Sequence, residues 1–174
     1  GKITGYLFGG GWHFHQECEL VLITRSFGTS LIGDHASSYS ENDLFLTGPN
    51  LPHTFICDKT FPVSKAECLV MHFKADLFSK SFTEQPEFAN LNKLISSSKL
   101  GIRFTKETGV AIKPMFKKLI SAKGIDRMIL LLKILDICSN KKDNTFLVSD
   151  GFASGFVRSS DEKIQLVITY IEKN

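Results

Sequence analysis

Absences bound this chain first. No long apolar run occurs in its 174 residues: the longest, Met128 to Leu132, is far too short to cross a bilayer, so no membrane helix is expected. Nothing at the start reads as a secretory signal peptide. Cysteine is scarce, and the four present (Cys18, Cys57, Cys68, Cys138) show no CxxC spacing, which argues against a disulfide framework or a zinc ribbon. They are expected to be buried small hydrophobes in a reducing, cytoplasmic setting. Neither charge sign is in large excess. A net charge of +3 is too small for an electrostatic nucleic-acid surface. Aromatics other than Phe are few, one Trp and three Tyr against fifteen Phe, so a Phe-built core is expected. Beginning at Gly1 and ending in a helical pattern, the chain is expected to be a piece of a longer protein.

The most unusual stretch runs from Trp12 to Leu20. Read as one strand, it puts His13, His15, Glu17 and Glu19 on a single face, because side chains alternate with period two. An enclosed face of that kind must pair its groups, hold a metal or bind a polar ligand, since unpaired buried charge is costly. Short strands separated by turns continue to Phe73, with Gly9-Gly10-Gly11 read as a flexible turn. That spacing points to an antiparallel sandwich or barrel. Residues 80–140 are helical in pattern and contain two consecutive amphipathic helices, a helical hairpin, around Val110–Ile120 and Met128–Ile137. Residues 100–105 are a candidate extra strand. Residues 141–160 are polar and aperiodic and read as a linker, and 161–174 return to helix. His72 lies in an apolar strand and reads as a structural residue.

His13-x-His15-x3-Glu19 and, after a turn, Asn42-Asp43-x4-Gly48-x-Asn50-x2-His53 resemble the two motifs of the cupin family. The resemblance implies a mainly β fold with α, a cupin-like antiparallel β-barrel of jelly-roll type over residues 1–79, followed by the helical hairpin. It also implies that His13, His15, Glu19 and His53 converge as metal ligands. Asn42, Asn50 and Ser26 stand where cupins prefer Gly, and Gly48 where they prefer Pro. The two Asn are acceptable because Asn enters the left-handed region readily.

A further resemblance covers most of the chain. Trp12-His13-x-His15-x-Glu17-x-Glu19-Leu20, Ile32-Gly33-Asp34 and Asp43-Leu44-x-Leu46-x-Gly48-Pro49-Asn50-Leu51-Pro52-His53 are similar to the N-terminal sensor domain of AraC-type bacterial transcription regulators. It implies a small polar effector, for instance a sugar, bound by His13, His15, Glu17, Glu19 and His53, and homodimerisation through residues 80–140. Residues 161–174 resemble the first helix of a DNA-binding domain. DNA contact is expected only through the helix-turn-helix units that would follow. No cofactor is expected to be obligate and no enzymatic activity is expected, although the four donors suit zinc, nickel, manganese or iron. The rival reading is a metal-dependent cupin enzyme, a dioxygenase or sugar isomerase.

Overall fold

The computed structural model describes residues 1–5, 7–149 and 151–152; the helix expected over 161–174 lies outside them. Eight strands come first: β1 (Lys2–Thr4), β2 (Leu7–His13), β3 (Cys18–Arg25), β4 (Gly28–Ile32), β5 (His35–Tyr39), β6 (Leu44–Thr47), β7 (His53–Cys57) and β8 (Glu67–Phe73). A single-turn helix α1 (Lys80–Thr83) and α2 (Ala89–Ser97) lead to β9 (Ile102–Phe104). Two longer helices follow, α3 (Lys106–Ser121) and α4 (Gly124–Ser139), and then a two-residue strand β10 (Thr145–Phe146).

The strands make two antiparallel sheets, one ordered β1-β8-β3-β6-β9-β10 and the other β2-β7-β4-β5. Alternation along β3 shows why the larger sheet is buried on both sides. Val21 and Ile23 pack with Phe8, Tyr39, Phe45 and Phe55 between the sheets. Leu20 and Leu22 pack on the other face with Ile112, Phe116, Leu119 and Ile134 of the helices. The order is therefore small sheet, large sheet, helices, with one apolar core in each interval. All four cysteines are free and buried. No helix among the described residues is long and apolar enough to cross a membrane.

Three expectations need correcting. No ladder joins the two sheets among the described residues, so the arrangement is a pair of facing sheets, not a closed barrel. Gly9, Gly10 and Gly11 lie within β2, where the pairing with β7 shifts register between Phe8 and His13; the glycines make an irregular strand, not a turn. The start of the stretch read as a linker is held in place. β10 pairs with β9, Leu147 and Val148 enter the core between the sheets, and Asp34 accepts bonds from the Ser149 amide and hydroxyl. Two apolar residues are too few to give a periodic signal.

Candidate functional site

His13 closes β2 and His53 opens β7, and the two residues face each other in the β2–β7 ladder. Glu19 is the second residue of β3 and shares the inner face with Val21 and Ile23. His15 sits on the connection between the strands. The single strand expected over residues 12–20 does not exist: β2 ends at His13, the chain bends at Gln16–Glu17, and β3 starts at Cys18 in the other sheet. The donors therefore meet because the chain crosses between facing sheets. Alternation along one strand is not the cause. A backbone bond fixes the second motif to the first, from the Asn50 amide to the His15 carbonyl at 2.7 Å. Asn42 and Asn50 take positive φ, 69° and 59°, the conformation for which glycine is the usual residue.

One ligating atom from each of His13, His15, Glu19 and His53 lies within 4.8 Å of the others. Glu19 is 5% exposed and His53 1%. Each imidazole is oriented by a bond from Nδ1 to a backbone carbonyl two residues away: His13 to Gly11 at 2.8 Å, His15 to Glu17 at 3.0 Å and His53 to Leu51 at 2.8 Å. A carbonyl can only accept, so Nδ1 carries a hydrogen in all three, and in the neutral ring Nε2 is left with its lone pair. That is the metal-ligating form, with the supporting bond that metal-bound histidines ordinarily make.

With neutral rings the consequence is a set of acceptors facing acceptors. His15 Nε2 lies 3.1 Å from Glu19 Oε2 and His53 Nε2 lies 3.4 Å from Glu19 Oε1. The His53 Nε2 is buried and has no hydrogen-bond partner. Such a cluster needs a positive charge, a proton or a metal ion, between its members. The residues fit a divalent cation.

Sequence reasoning left out His72. Its Nε2 donates to Glu19 Oε2, and its ring stands edge-on to His15 with centroids 4.8 Å apart. The cause is long-range: β8 pairs with β3, and Glu19 is directly opposite His72. Glu17, expected among the binding residues, lies on the bend with its carboxylate 3.7 Å from His15 Nδ1, outside the four-donor set. It lines a recess of about 320 Å³ with Gln16, Lys74, Ala75 and Asp76.

Burial lowers the His13 pKa, keeping the ring neutral. Burial alone would raise that of Glu19, but a hydrogen bond from His53 Nε2, when that nitrogen carries a proton in place of a metal, and the bond from His72 outweigh it and hold the carboxylate well below its usual range. The bond to Glu19 raises His72. In chelator-treated protein these directions fix the sign of the pH dependence. The His72 contribution to stability is present below about pH 6.5 and lost as pH rises through its higher folded value. That of Glu19 is present above about pH 4.3 and lost as pH falls through its lower folded value. His13 opposes folding once the pH drops under about 6.5. The stability advantage of wild type over His72→Ala in urea denaturation with EDTA should therefore fall from about pH 6.5 toward 8. A flat profile there would mean that His72 does not bond Glu19 in solution.

No protein-family profile matches the chain, and a comparison with curated proteins finds no match. Two solved structures of oxalate decarboxylase show a partial likeness. One comes from work on a structural element that modulates proton-coupled electron transfer in that enzyme, the other is a mutant of Bacillus subtilis OxdC. Each is 19% identical, with a TM-score of 0.33, over 60% of this chain and 27% of the enzyme's. The match thus spans little more than a quarter of each enzyme's chain, and a likeness at that level does not bear on what this chain does.

Proposed function

We propose that this chain is the effector-sensing and dimerisation part of an AraC-type transcription regulator, and that His13, His15, Glu19 and His53 hold a divalent cation at the floor of its binding site. The observation that carries the cation is the meeting, with ligating atoms within 4.8 Å of one another, of one carboxylate and three imidazoles that each spend Nδ1 on a backbone carbonyl. A bound ion would offer an electrophilic point to an oxygen of a small polar effector such as a sugar. Glu17, beside the recess, is placed to accept a hydroxyl from it. Titrating chelator-treated protein with zinc tests the cation: heat of binding with one site per chain supports it, and no uptake counts against it.

The helical layer supports the regulator over an enzyme. α4 buries Leu131, Ile134, Leu135 and Cys138 against the core and partly buries Leu130, Leu132 and Ile137, yet two isoleucines remain among the charged residues of its outer side. Ile125 and Ile129, one turn apart, are 71% and 43% exposed, and Val110 on α3 is also exposed. In this reading a second copy of the chain covers these exposed apolar residues across a two-fold axis. Replacing Ile125 and Ile129 together by Lys should convert a dimer to a folded monomer in light scattering, since an ammonium resists desolvation at an apolar interface. A wild-type chain that is already monomeric at high concentration would remove the dimer from the reading. The same four donors also suit a metal-dependent dioxygenase or sugar isomerase, and turnover by the cation-loaded monomer would favour that second reading.

A further inference from the structure

The four donors account for the cation, but the described cluster contains a fourth imidazole, His72, of a different kind. His13, His15 and His53 spend Nδ1 on the backbone and turn acceptors inward. His72 does the reverse. A carboxylate oxygen can only accept, so the His72 Nε2 that meets Glu19 Oε2 carries a hydrogen and donates it. Its side chain is 50% exposed, against 7% for that of Glu19, so it approaches from the solvent side.

The two carboxylate oxygens have separate neighbours. Oε1 faces His53, while Oε2 lies between His15 and His72. Rotation of the Glu19 carboxylate would break this division and turn an oxygen away from the donor set. Thr47, opposite Glu19 on β6, offers no restraint, because its hydroxyl makes no hydrogen bond. Within the described cluster, the N–H that fixes the carboxylate is that of His72.

We propose that His72 is a positioning residue: by donating to Oε2 from the rim it holds the Glu19 carboxylate at the angle at which both oxygens face imidazole nitrogens, and so sets the affinity of the site for a divalent cation without binding the ion itself. This rests on the cation-binding reading above. Supporting hydrogen bonds of this type govern affinity because a free carboxylate must be ordered again each time the ion binds.

The test is cobalt(II) titration of the chelator-treated chain, by calorimetry and by the visible absorption of the bound ion, in wild type, His72→Ala and His72→Gln. Glutamine keeps an N–H donor at a similar reach and is a poor metal ligand. Alanine should weaken binding by about 10–100-fold, the range for lost supporting bonds. Glutamine should recover most of that loss, and its saturated spectrum should match wild type. Because the His72 side chain is half exposed, both variants should fold, which circular dichroism verifies. Unchanged or tighter binding in His72→Ala overturns the proposal. Equal loss in Ala and Gln with an altered spectrum also overturns it, by making His72 a ligand. Wild type that binds no cobalt or zinc overturns the cation reading itself, and this proposal with it.

Discussion

Replacing His53 by alanine is expected to lower divalent-cation affinity by at least about 100-fold, the top of the range that loss of a mere supporting partner produces. His53 is almost fully enclosed, and its Nε2 has no competing hydrogen bond, so in the neutral ring its lone pair is available to an ion. The effect also reads out as stability, because an ion that binds only the folded chain shifts unfolding by mass action. At a free concentration near a thousand times Kd, wild type should gain about 4 kcal/mol, and a variant weakened 100-fold about 1.4 kcal/mol. Urea denaturation with and without zinc measures both. Without metal the variant should lose much less, since it forfeits one bond from Nδ1 to the Leu51 carbonyl and the packing of one ring. A wild-type midpoint that zinc leaves unmoved would show that the positive charge in the cluster is a proton.

The four donors were legible from motif spacing, yet the physical route to their convergence was not. Period-two alternation put His13, His15 and Glu19 together by assuming a regular strand, whereas the bend at Gln16–Glu17 carries the chain from one sheet to the other. The same bend moves Glu17 out of the set. Asn42 and Asn50 were readable as left-handed positions because the property is local to the residue. His72 was not readable, because its place depends on pairing between β3 and β8, 53 residues apart at the bond to Glu19, and its neighbours Met71 and Phe73 give a purely apolar pattern. Helical amphipathicity exposed α3 and α4 in the sequence. The close fit between α3 and the sheet, which one glycine permits, left no comparable trace.

That glycine supplies the second large effect. Gly109 lies in the first turns of α3, where alanine is ordinarily worth about 1 kcal/mol of added helix stability. Here the sign should reverse. A Cβ at residue 109 would stand 2.0 Å from the Asn42 carbonyl oxygen and 3.3 Å from Leu22 Cδ1. The Asn42 backbone has little room to give. Its amide bonds the Ile23 carbonyl at 2.9 Å, its φ is already 69°, and the next residue, Asp43, is buried against Arg103 at 2.8 Å. Lys113 reaches back from α3 to Glu41 and Asn42, clamping the same turn from the helix side. Relief must therefore come from α3 lifting off the sheet, which loosens Ile112, Phe116 and Leu119, all fully buried. Overpacking of this kind costs about 1–3 kcal/mol, and a clash with fixed backbone belongs at the upper end. Gly109→Ala should thus lose about 2 kcal/mol or more in urea denaturation, net of its helix propensity. The exposed Ala111→Gly, on the same helix, should lose only about 1 kcal/mol. If Gly109→Ala proves more stable than wild type, α3 does not sit against the β5–β6 turn in solution. The dimer face proposed to include Val110 would then have to be placed afresh.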